Sequence, residues 1–328
     1  MNAFASAIGG RIRVCLLASI LVLAPACSDS DSSGATTVPY AETVIGANGA
    51  VNGNYFCRPE SDGNVQLLIH LMGSFVEATS ESSTAFALHA CTHGFAALVP
   101  DYNNATPPGL ACGEDDACHD AFHREILFGE EVAPDPISVN TGESIVERIS
   151  ALLNKLAADD PDYNWEELAS RFATQELQTF TVSGHSQGNG HALYWAREEE
   201  FRRVVLFGGV ADRLGPTDSD SDRVTWLKDM AISSATPLER IRSFLHVDED
   251  GLTGVVGSRA NLATIGAESD CDYFNLEEAC KGIEIPGMQC LNPLSAHEVV
   301  ISESFGENCE AGGANSNEEI WDLLLLGR

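Results

Sequence analysis

Five consecutive residues, Gly184-His185-Ser186-Gln187-Gly188, constrain this chain more than any other feature. They follow a short apolar segment at residues 180–183 that predicts a strand, and they precede a helical segment at residues 189–197. Glycine two positions before and two positions after a serine relieves crowding at a sharp strand-to-helix turn. Such a turn projects the serine hydroxyl from the sheet, so the sequence predicts Ser186 as a nucleophile.

Short apolar runs separated by turn residues recur through the chain and predict its elements. The predicted strands are residues 65–71, 96–99, 179–183, 204–207 and 241–247, and the predicted helices are residues 84–92, 144–157, 191–199 and 320–326. This alternation predicts parallel strands joined by right-handed crossovers, with helices on both faces of the sheet. Residues 100–118, rich in Asn, Pro and Gly, are predicted as a long loop, and residues 208–240 as the place of a small cap.

The N-terminal segment has the pattern of an export signal. Arg11 and Arg13 precede an apolar run at residues 14–23, which is too short to span a membrane, and Ala24-Pro25-Ala26 precedes Cys27. Two processing routes stay open: cleavage after the small-residue triplet, or lipoprotein processing with a lipid on Cys27. We therefore expect a signal at residues 1–26, a flexible tether at residues 27–40 and one α/β domain at residues 41–328.

Cysteine parity favours the lipoprotein route. The chain has ten cysteines, and setting aside Cys15 in the signal and Cys27 leaves an even set. That set is Cys57, Cys91, Cys112, Cys118, Cys271, Cys280, Cys290 and Cys309. An exported protein meets an oxidising compartment, so we expect disulfides, with Cys112 and Cys118 close enough to form a short loop and the other pairings open. A zinc alternative would use Cys112, Cys118, His119 and His123, but export favours the disulfide, and no metal is predicted.

The charge balance excludes some partners. A formal net charge of −31 repels polyphosphates, so we expect no nucleic-acid partner and no attraction to anionic membrane surfaces. A solvated acidic surface suits an exported protein, either anchored in the outer membrane or cell envelope or secreted. Membrane association is then expected only through a lipid on Cys27, and a monomer is the default expectation.

The serine turn, with its flanking strand and helix, resembles the nucleophile elbow of the α/β-hydrolase superfamily, and the similarity in layout runs from about Val65 to the region of His297. The segment from Cys112 to Gly129, together with the Gly-His-Ser-Gln-Gly turn, also resembles a group of exported bacterial α/β-hydrolases. The resemblance implies an α/β-hydrolase fold: a mostly parallel central sheet with helices on both faces and small cap or loop insertions.

The resemblance also implies an oxyanion hole. One donor would be the backbone N–H of Gln187, which follows the nucleophile. The second would come from the loop after an earlier strand, here His70-Leu71-Met72-Gly73-Ser74. Met72 and Gly73 are the expected donors, with Leu71 also open, and His70 is expected to orient this loop.

The remaining members of a catalytic triad follow the order of the family. The acid is expected after the strand at residues 241–247, which selects Asp250, with Asp248 and Asp212 as alternatives. The base is expected last in the chain, which selects His297, the last histidine of the sequence. His185, His191 and His246 are attributed to packing or exposure.

The resemblance implies a serine hydrolase that cleaves a small-molecule or lipid-like carboxylic ester through an acyl-enzyme, without a cofactor. The same triad can cleave amides or peptides, and this alternative stays open. A non-catalytic surface lipoprotein with a binding role is the alternative from another class.

Overall fold

The structure is a computed structural model, and it describes residues 48–51, 53–59, 66–133, 136–215, 219–246, 254–267, 271–272, 282–285, 297, 300–301 and 317–327. The predicted signal and tether lie outside these residues. So do Asp248 and Asp250, two of the three carboxylates considered for the triad.

The described strands form one mixed sheet. They are β1 (Asn48–Val51), β2 (Asn54–Cys57), β3 (Gln66–Leu71), β4 (Phe95–Val99), β5 (Thr181–His185), β6 (Arg203–Phe207), β7 (Ile241–His246), β8 (Cys271–Asp272) and β9 (Gly282–Ile285). Their order is β1-β2-β4-β3-β5-β6-β7-β9-β8. The pairs β1–β2 and β2–β4 are antiparallel, and all other described pairs are parallel. The five strands predicted from sequence are all present.

Helices cover both faces of this sheet. They are α1 (Glu81–Thr92), α2 (Pro108–Cys112), α3 (Asp116–Phe128), α4 (Ile145–Asp159), α5 (Trp165–Ala173), α6 (Gln187–Glu198), α7 (Thr225–Ile232), α8 (Gly254–Thr264) and α9 (Asn317–Leu326). Helix α1 connects β3 to β4, whereas α6 connects β5 to β6 in the opposite direction across the sheet. Right-handed crossovers therefore place α1 and α6 on opposite faces. The α/β-hydrolase fold predicted from the sequence is confirmed.

Helix α4 shows how the pattern of apolar residues directs this packing. Its residues Ile145, Ile149, Leu152, Leu153 and Leu156 are all fully buried, as their helical spacing predicts. The helix begins after Ser144, whose hydroxyl accepts a hydrogen bond from the N–H of Glu147 at 3.3 Å. None of the described helices is long and apolar enough to cross a lipid bilayer.

The loop predicted at residues 100–118 is wrong in its second half, which contains α2 and the start of α3. The Asp115 carboxylate accepts a hydrogen bond from the N–H of Cys118 at 3.2 Å and so caps α3. Phe122, Ile126 and Leu127 then bury one face of that helix. Capping and burial outweigh the turn-forming residues Pro108, Gly109 and Gly113 that suggested a loop.

The region expected to hold a small cap contains α7, which packs against α6. Trp226, Leu227 and Met230 are buried on one side of this helix. The ring of Trp226 lies 5.4 Å from the ring of Tyr194, measured between centroids. The described part of this region therefore belongs to the helical layer of the crossover between β6 and β7.

Two disulfides join described elements. Cys57–Cys91 links β2 to α1 across 34 residues, and Cys112–Cys118 links α2 to α3 across 6 residues. The second is the short loop predicted from the sequence. Because its sulfur atoms are bonded to each other, the zinc alternative at Cys112, Cys118, His119 and His123 loses two of its four ligands.

The two disulfides should differ in their contribution to stability. Closing a longer loop removes more entropy from the unfolded chain, so Cys57→Ala/Cys91→Ala should cost roughly 4 kcal/mol and Cys112→Ala/Cys118→Ala roughly 2 kcal/mol. Guanidinium denaturation of the two double variants and of the oxidised parent measures both costs. Equal losses in the free energy of unfolding for the two double variants would contradict this dependence on loop length.

Candidate active site

Ser186 lies between the end of β5 and the start of α6, in a strained backbone conformation. Its φ is 54° and its ψ is −118°, in a region that L-residues rarely adopt. Its backbone N–H donates to the carbonyl of Phe207, at the end of the neighbouring strand, at 3.1 Å. Ser186 is partly exposed, whereas the other four residues of the Gly184–Gly188 segment are buried. The turn therefore presents this serine at the carboxyl edge of the sheet.

The two glycines of the turn are required by close backbone contacts. A Cβ atom on Gly184 would lie 2.3 Å from the carbonyl carbon of Gly188. A Cβ atom on Gly188 would lie 2.0 Å from the carbonyl oxygen of Leu71, at the end of β3. Both distances are far below van der Waals contact. Glycine at these positions allows α6 to start directly against the ends of β3 and β5.

Asn189 fixes the first turn of α6 to the strand beside it. Its side-chain amide donates to the carbonyl of Phe207 at 2.6 Å and to the carbonyl of Gly209, while its side-chain oxygen accepts from the N–H of Phe207 at 3.0 Å. These bonds connect the turn at residues 184–188 to the end of β6. Sequence reasoning missed Asn189, because nothing in the local pattern shows that its partners lie on the next strand.

The loop after β3 lies against Ser186. A Cβ atom on Gly73 would be 3.1 Å from Cβ of Ser186, so the backbone of this loop approaches the serine closely. The hydroxyl of Tyr102 donates to the carbonyl of Met72 at 2.5 Å, and the side-chain amide of Asn104 donates to the carbonyl of Gly73 at 2.6 Å. Because the carbonyls of Met72 and Gly73 both accept hydrogen bonds, the peptide groups on either side of Gly73 are fixed in orientation beside Ser186.

Gln187 connects this loop to the helix. Its backbone N–H is the first of α6 and belongs to the group that has no acceptor within the helix. Its side-chain oxygen accepts a hydrogen bond from the hydroxyl of Ser74 at 2.7 Å. The predicted oxyanion residues Gln187, Met72 and Gly73 are therefore brought together around Ser186.

His297 also lies at the turn formed by residues 184–188. The Nε2–H of His185 donates to the backbone carbonyl of His297 at 2.9 Å, and the centroids of the two rings are 4.7 Å apart. Nδ1 of His297 would be 2.9 Å from a Cβ atom on Gly208, just after β6. Burial, together with the nearby His297, lowers the pKa of His185 to about 3, so His185 is neutral at pH 7 and can act as this donor.

A chain of buried polar side chains continues from Gln187 into the helical layer behind the serine. Nε2 of His191 lies 3.4 Å from the side-chain nitrogen of Gln187, and Nδ1 of His191 lies 2.9 Å from Nδ1 of His123. Nε2 of His123 in turn lies 2.8 Å from Oδ1 of Asp212. Nδ1 of His119 lies 3.2 Å from the same oxygen.

Asp212 is the fixed charge of this network. Burial would raise its pKa, but the charge of His123 and hydrogen bonds from His119 and His123 outweigh burial and hold the pKa well below its usual range. A Cβ atom on Gly190 would be 2.7 Å from Oδ2 of Asp212, so α6 can approach this carboxylate only with glycine there. Among the described residues, the carboxylate of Asp212 is hydrogen-bonded to His119 and His123 and not to His297.

His70 and His246 lie within strands. Nδ1 of His70 lies 2.8 Å from the hydroxyl of Ser183 on β5, and its ring packs at 5.9 Å from that of Phe86. Burial lowers its pKa to about 3. His70 thus links two strands of the core and does not orient the following loop as expected. His246 is buried at the end of β7, and His191 is buried in α6, which agrees with their attribution to packing.

A cavity of about 680 Å³ lies away from this site. Its lining includes Gln66, Arg202 and Arg240, which stand at the amino ends of β3, β6 and β7. Substrates of open parallel sheets bind at the carboxyl ends of the strands, where Ser186 lies. This cavity is therefore not the candidate active site.

The chain matches no model of a protein family and no curated protein sequence. Several solved structures are similar to it over most of its length. An S-formylglutathione hydrolase from Agrobacterium tumefaciens is 10% identical with a TM-score of 0.42, covering 82% of this chain and 96% of its own. A lidless α/β serine hydrolase from Xanthomonas campestris is 12% identical with a TM-score of 0.38, covering 84% and 86%.

A thermophilic esterase from the Planctomycetes species Thermogutta terrifontis, solved with butyrate bound, is 12% identical with a TM-score of 0.34. It covers 71% of this chain and 78% of its own. At these identities and TM-scores the likeness carries no argument about what this chain does.

Removing the charge of Asp212 should destabilise the fold. Asp212→Asn leaves the two buried histidines without their carboxylate and should cost about 3–5 kcal/mol in the free energy of unfolding. The pKa of Asp212 is lowered on folding from its ordinary value of 3.8, so its contribution is present above pH 3.8 and is lost as the pH falls further.

Urea denaturation between pH 3 and pH 7 measures this contribution, and the gap between parent and variant should narrow in acid. The matched control is Asp229→Asn on the exposed side of α7, which should change stability by less than about 0.5 kcal/mol. Equal stabilities of Asp212→Asn and Asp229→Asn at pH 7 would show that the buried network contributes little.

Proposed function

We propose that this chain is an exported serine hydrolase that cleaves carboxylic esters through an acyl-enzyme. Ser186 is the nucleophile, His297 the general base and Asp250 the acid of the triad. The observation that carries the proposal is the strained, partly exposed Ser186 at the carboxyl edge of the sheet, with the backbone of Gly73 packed against it. Strained backbone at an exposed nucleophile is a feature of functional sites.

The first half of the reaction forms the acyl-enzyme. His297 accepts the proton of the Ser186 hydroxyl, and the serine oxygen attacks the carbonyl carbon of the ester. The N–H of Gln187 and that of Met72 or Gly73 stabilise the oxyanion. When the tetrahedral intermediate collapses, the bond to the alcohol breaks and His297 returns the proton to the departing oxygen.

The second half releases the acid. Water gives a proton to His297, and its oxygen attacks the carbonyl carbon of the acyl-enzyme. Collapse of the second intermediate breaks the bond to Ser186, which recovers its proton from His297. The reaction consumes one water and needs no redox partner, so the proposal includes no cofactor.

The choice of Asp250 as the acid rests on its place after β7. Asp248 follows the same strand and remains the alternative. Asp212 is the weaker candidate, because its carboxylate is already bonded to His119 and His123 behind the serine. The acid would hold the imidazole of His297 in the tautomer that accepts the serine proton.

Amide or peptide cleavage by the same residues is the second candidate, and a binding role for a non-catalytic surface lipoprotein is the third. Both disulfides are consistent with an exported chain. Within the proposal the protein is anchored through a lipid on Cys27 or secreted, acts as a monomer and binds neither nucleic acid nor anionic membrane surfaces.

Phe75 extends the proposed site towards the substrate. It stands two residues after Gly73, its φ is 63°, and its side chain is 71% exposed. A bulky residue rarely keeps a positive φ, and here the N–H of Phe75 is held by the carbonyl of Asn104 at 3.2 Å. We therefore infer that its ring offers an apolar surface to the acyl or alcohol group of the ester.

Ser186→Ala should lower ester hydrolysis by roughly 10⁴-fold or more, because no nucleophile remains. The measurement is turnover of p-nitrophenyl esters from acetate to palmitate by the full chain. Fluorophosphonate labelling, which requires an activated serine, provides a second readout. The matched control is Ser170→Ala on an exposed position of α5, which should keep the parental rate and labelling.

Retained turnover in Ser186→Ala would disprove the nucleophile assignment. A parent that is labelled but hydrolyses no ester would favour the amide or peptide alternative. A parent that is neither labelled nor active would favour the binding role.

Phe75→Gly should raise KM for long-chain esters about tenfold while kcat stays within a factor of about three, since one apolar contact is worth about 1–3 kcal/mol. The free energy of unfolding should stay the same or rise, because glycine adopts the positive φ without strain. Steady-state kinetics and urea denaturation separate the two effects. An unchanged KM for every ester would remove Phe75 from the substrate site.

A further inference from the structure

A cluster of potential metal ligands lies on the face of the sheet covered by α1 and α9. His89 and His93 are one turn apart near the end of α1, and Asp322 lies on α9. Helix α1 begins after β3 at the carboxyl edge and ends just before β4 starts. The cluster is therefore at the amino edge of the sheet, opposite Ser186.

The three side chains converge on one point. Nε2 of His89 lies 2.8 Å from Oδ1 of Asp322, and Nε2 of His93 lies 2.9 Å from the same oxygen. All three atoms lie within 4.8 Å of one another. Two imidazoles that share one carboxylate oxygen leave the second carboxylate oxygen available for a further bond.

Packing fixes the inner part of this cluster. The ring of His89 lies 5.4 Å from that of Trp321, which is fully buried and donates its indole N–H to the carbonyl of Val300 at 3.2 Å. Trp321 also packs against Phe86 on α1, one turn before His89. The helices that carry the ligands are thus joined by buried aromatic contacts, which preorganises the ligands.

The outer part of the cluster is open to solvent. The side chain of His89 is 9% exposed, whereas those of His93 and Asp322 are 31% and 37% exposed. An ion can enter from this side, and a water molecule can complete its coordination.

We propose that His89, His93 and Asp322 bind a zinc ion that joins the C-terminal helix α9 to α1. Two imidazole nitrogens and one carboxylate oxygen, with water as the fourth ligand, are a donor set that zinc uses. Nothing in the proposed ester hydrolysis requires this ion. The ion would connect α1 and α9 and keep one coordination position open to water, and the site stands independently of the active-site assignment.

Zinc binding changes the separations of the three ligand atoms. Zinc binds these donors at about 2.0–2.2 Å, which places tetrahedral ligand atoms roughly 3.3 Å apart. The two nitrogen–oxygen distances must therefore lengthen by about half an ångström, and the two imidazole nitrogens, which lie within 4.8 Å of each other, must come to the same separation. The side chains of His93 and Asp322 are partly exposed and can rotate to make these changes.

The local charges suit a cation. Glu318 stands one turn before Asp322 on α9, and its charge acts on His89.

Calorimetric titration of the EDTA-treated full chain with Zn²⁺ tests the proposal. We expect saturation at one ion per chain with a micromolar or lower Kd, and a weakening of at least tenfold in both His93→Ala and Asp322→Asn. Zinc should also raise the Tm of the parent but not of these variants. Both substitutions replace partly exposed side chains, and circular dichroism verifies that each variant folds.

Two control variants complete the experiment. Asp229→Asn changes an exposed carboxylate elsewhere and should bind zinc like the parent. Ser186→Ala should do the same, because the proposed zinc site and the proposed active site are at opposite edges of the sheet. The proposal is overturned if the parent shows no saturable binding, or if His93→Ala and Asp322→Asn bind zinc as tightly as the parent.

Discussion

The close approach of α6 to the end of β3 is the contact on which the rest of the candidate site depends. Gly188 passes the carbonyl of Leu71 at a distance that leaves no room for a Cβ atom, and Gly184 meets Gly188 in the same way. Because both contacts are between backbone atoms, no side-chain rotation can relieve them. Ser186 lies between Gly184 and Gly188, whose backbones are fixed by these contacts, and its positive φ allows the chain to connect them. The loop after β3 packs against this serine, where Gly73 makes the close approach.

The polar interior behind the serine is organised around a single carboxylate. Asp212 on one side and Ser74 on the other are connected through Gln187, His191 and His123, all buried. Polar groups buried in this way are costly unless they are hydrogen-bonded, so each member restricts the rotamers of its neighbours. The side chain of Gln187, whose N–H is the proposed oxyanion donor, is oriented from both sides. The helical layer thus contributes to the geometry of the turn as well as to the core.

The sequence predicted the central strands, α4 and the serine turn well, because each rests on local spacing. His297, the expected base, lies beside His185 of the turn at residues 184–188, and its role stays a prediction. The prediction from sequence failed for features whose position depends on residues far away in the chain. The hairpin of β1 and β2 has four residues in each strand and no clear periodicity, and its place at the sheet edge depends on pairing with β4. His119 and His123 were recognised as a cluster, but their partner is Asp212, about 90 residues further along the chain.

The pairing of β3 with β5 brings together residues 113 positions apart, as in the contact of His70 with Ser183. Such contacts close long loops, and chains that depend on them fold slowly compared with chains held by local contacts. The loop at residues 72–74 follows β3 and Ser186 follows β5, so these two parts of the candidate site remain separate until the centre of the sheet has formed. A chain that has not yet paired β3 with β5 therefore has Ser186 without the loop at residues 72–74 beside it. In the exported hydrolase that we propose, Ser186 therefore meets its oxyanion donors only after the chain has folded.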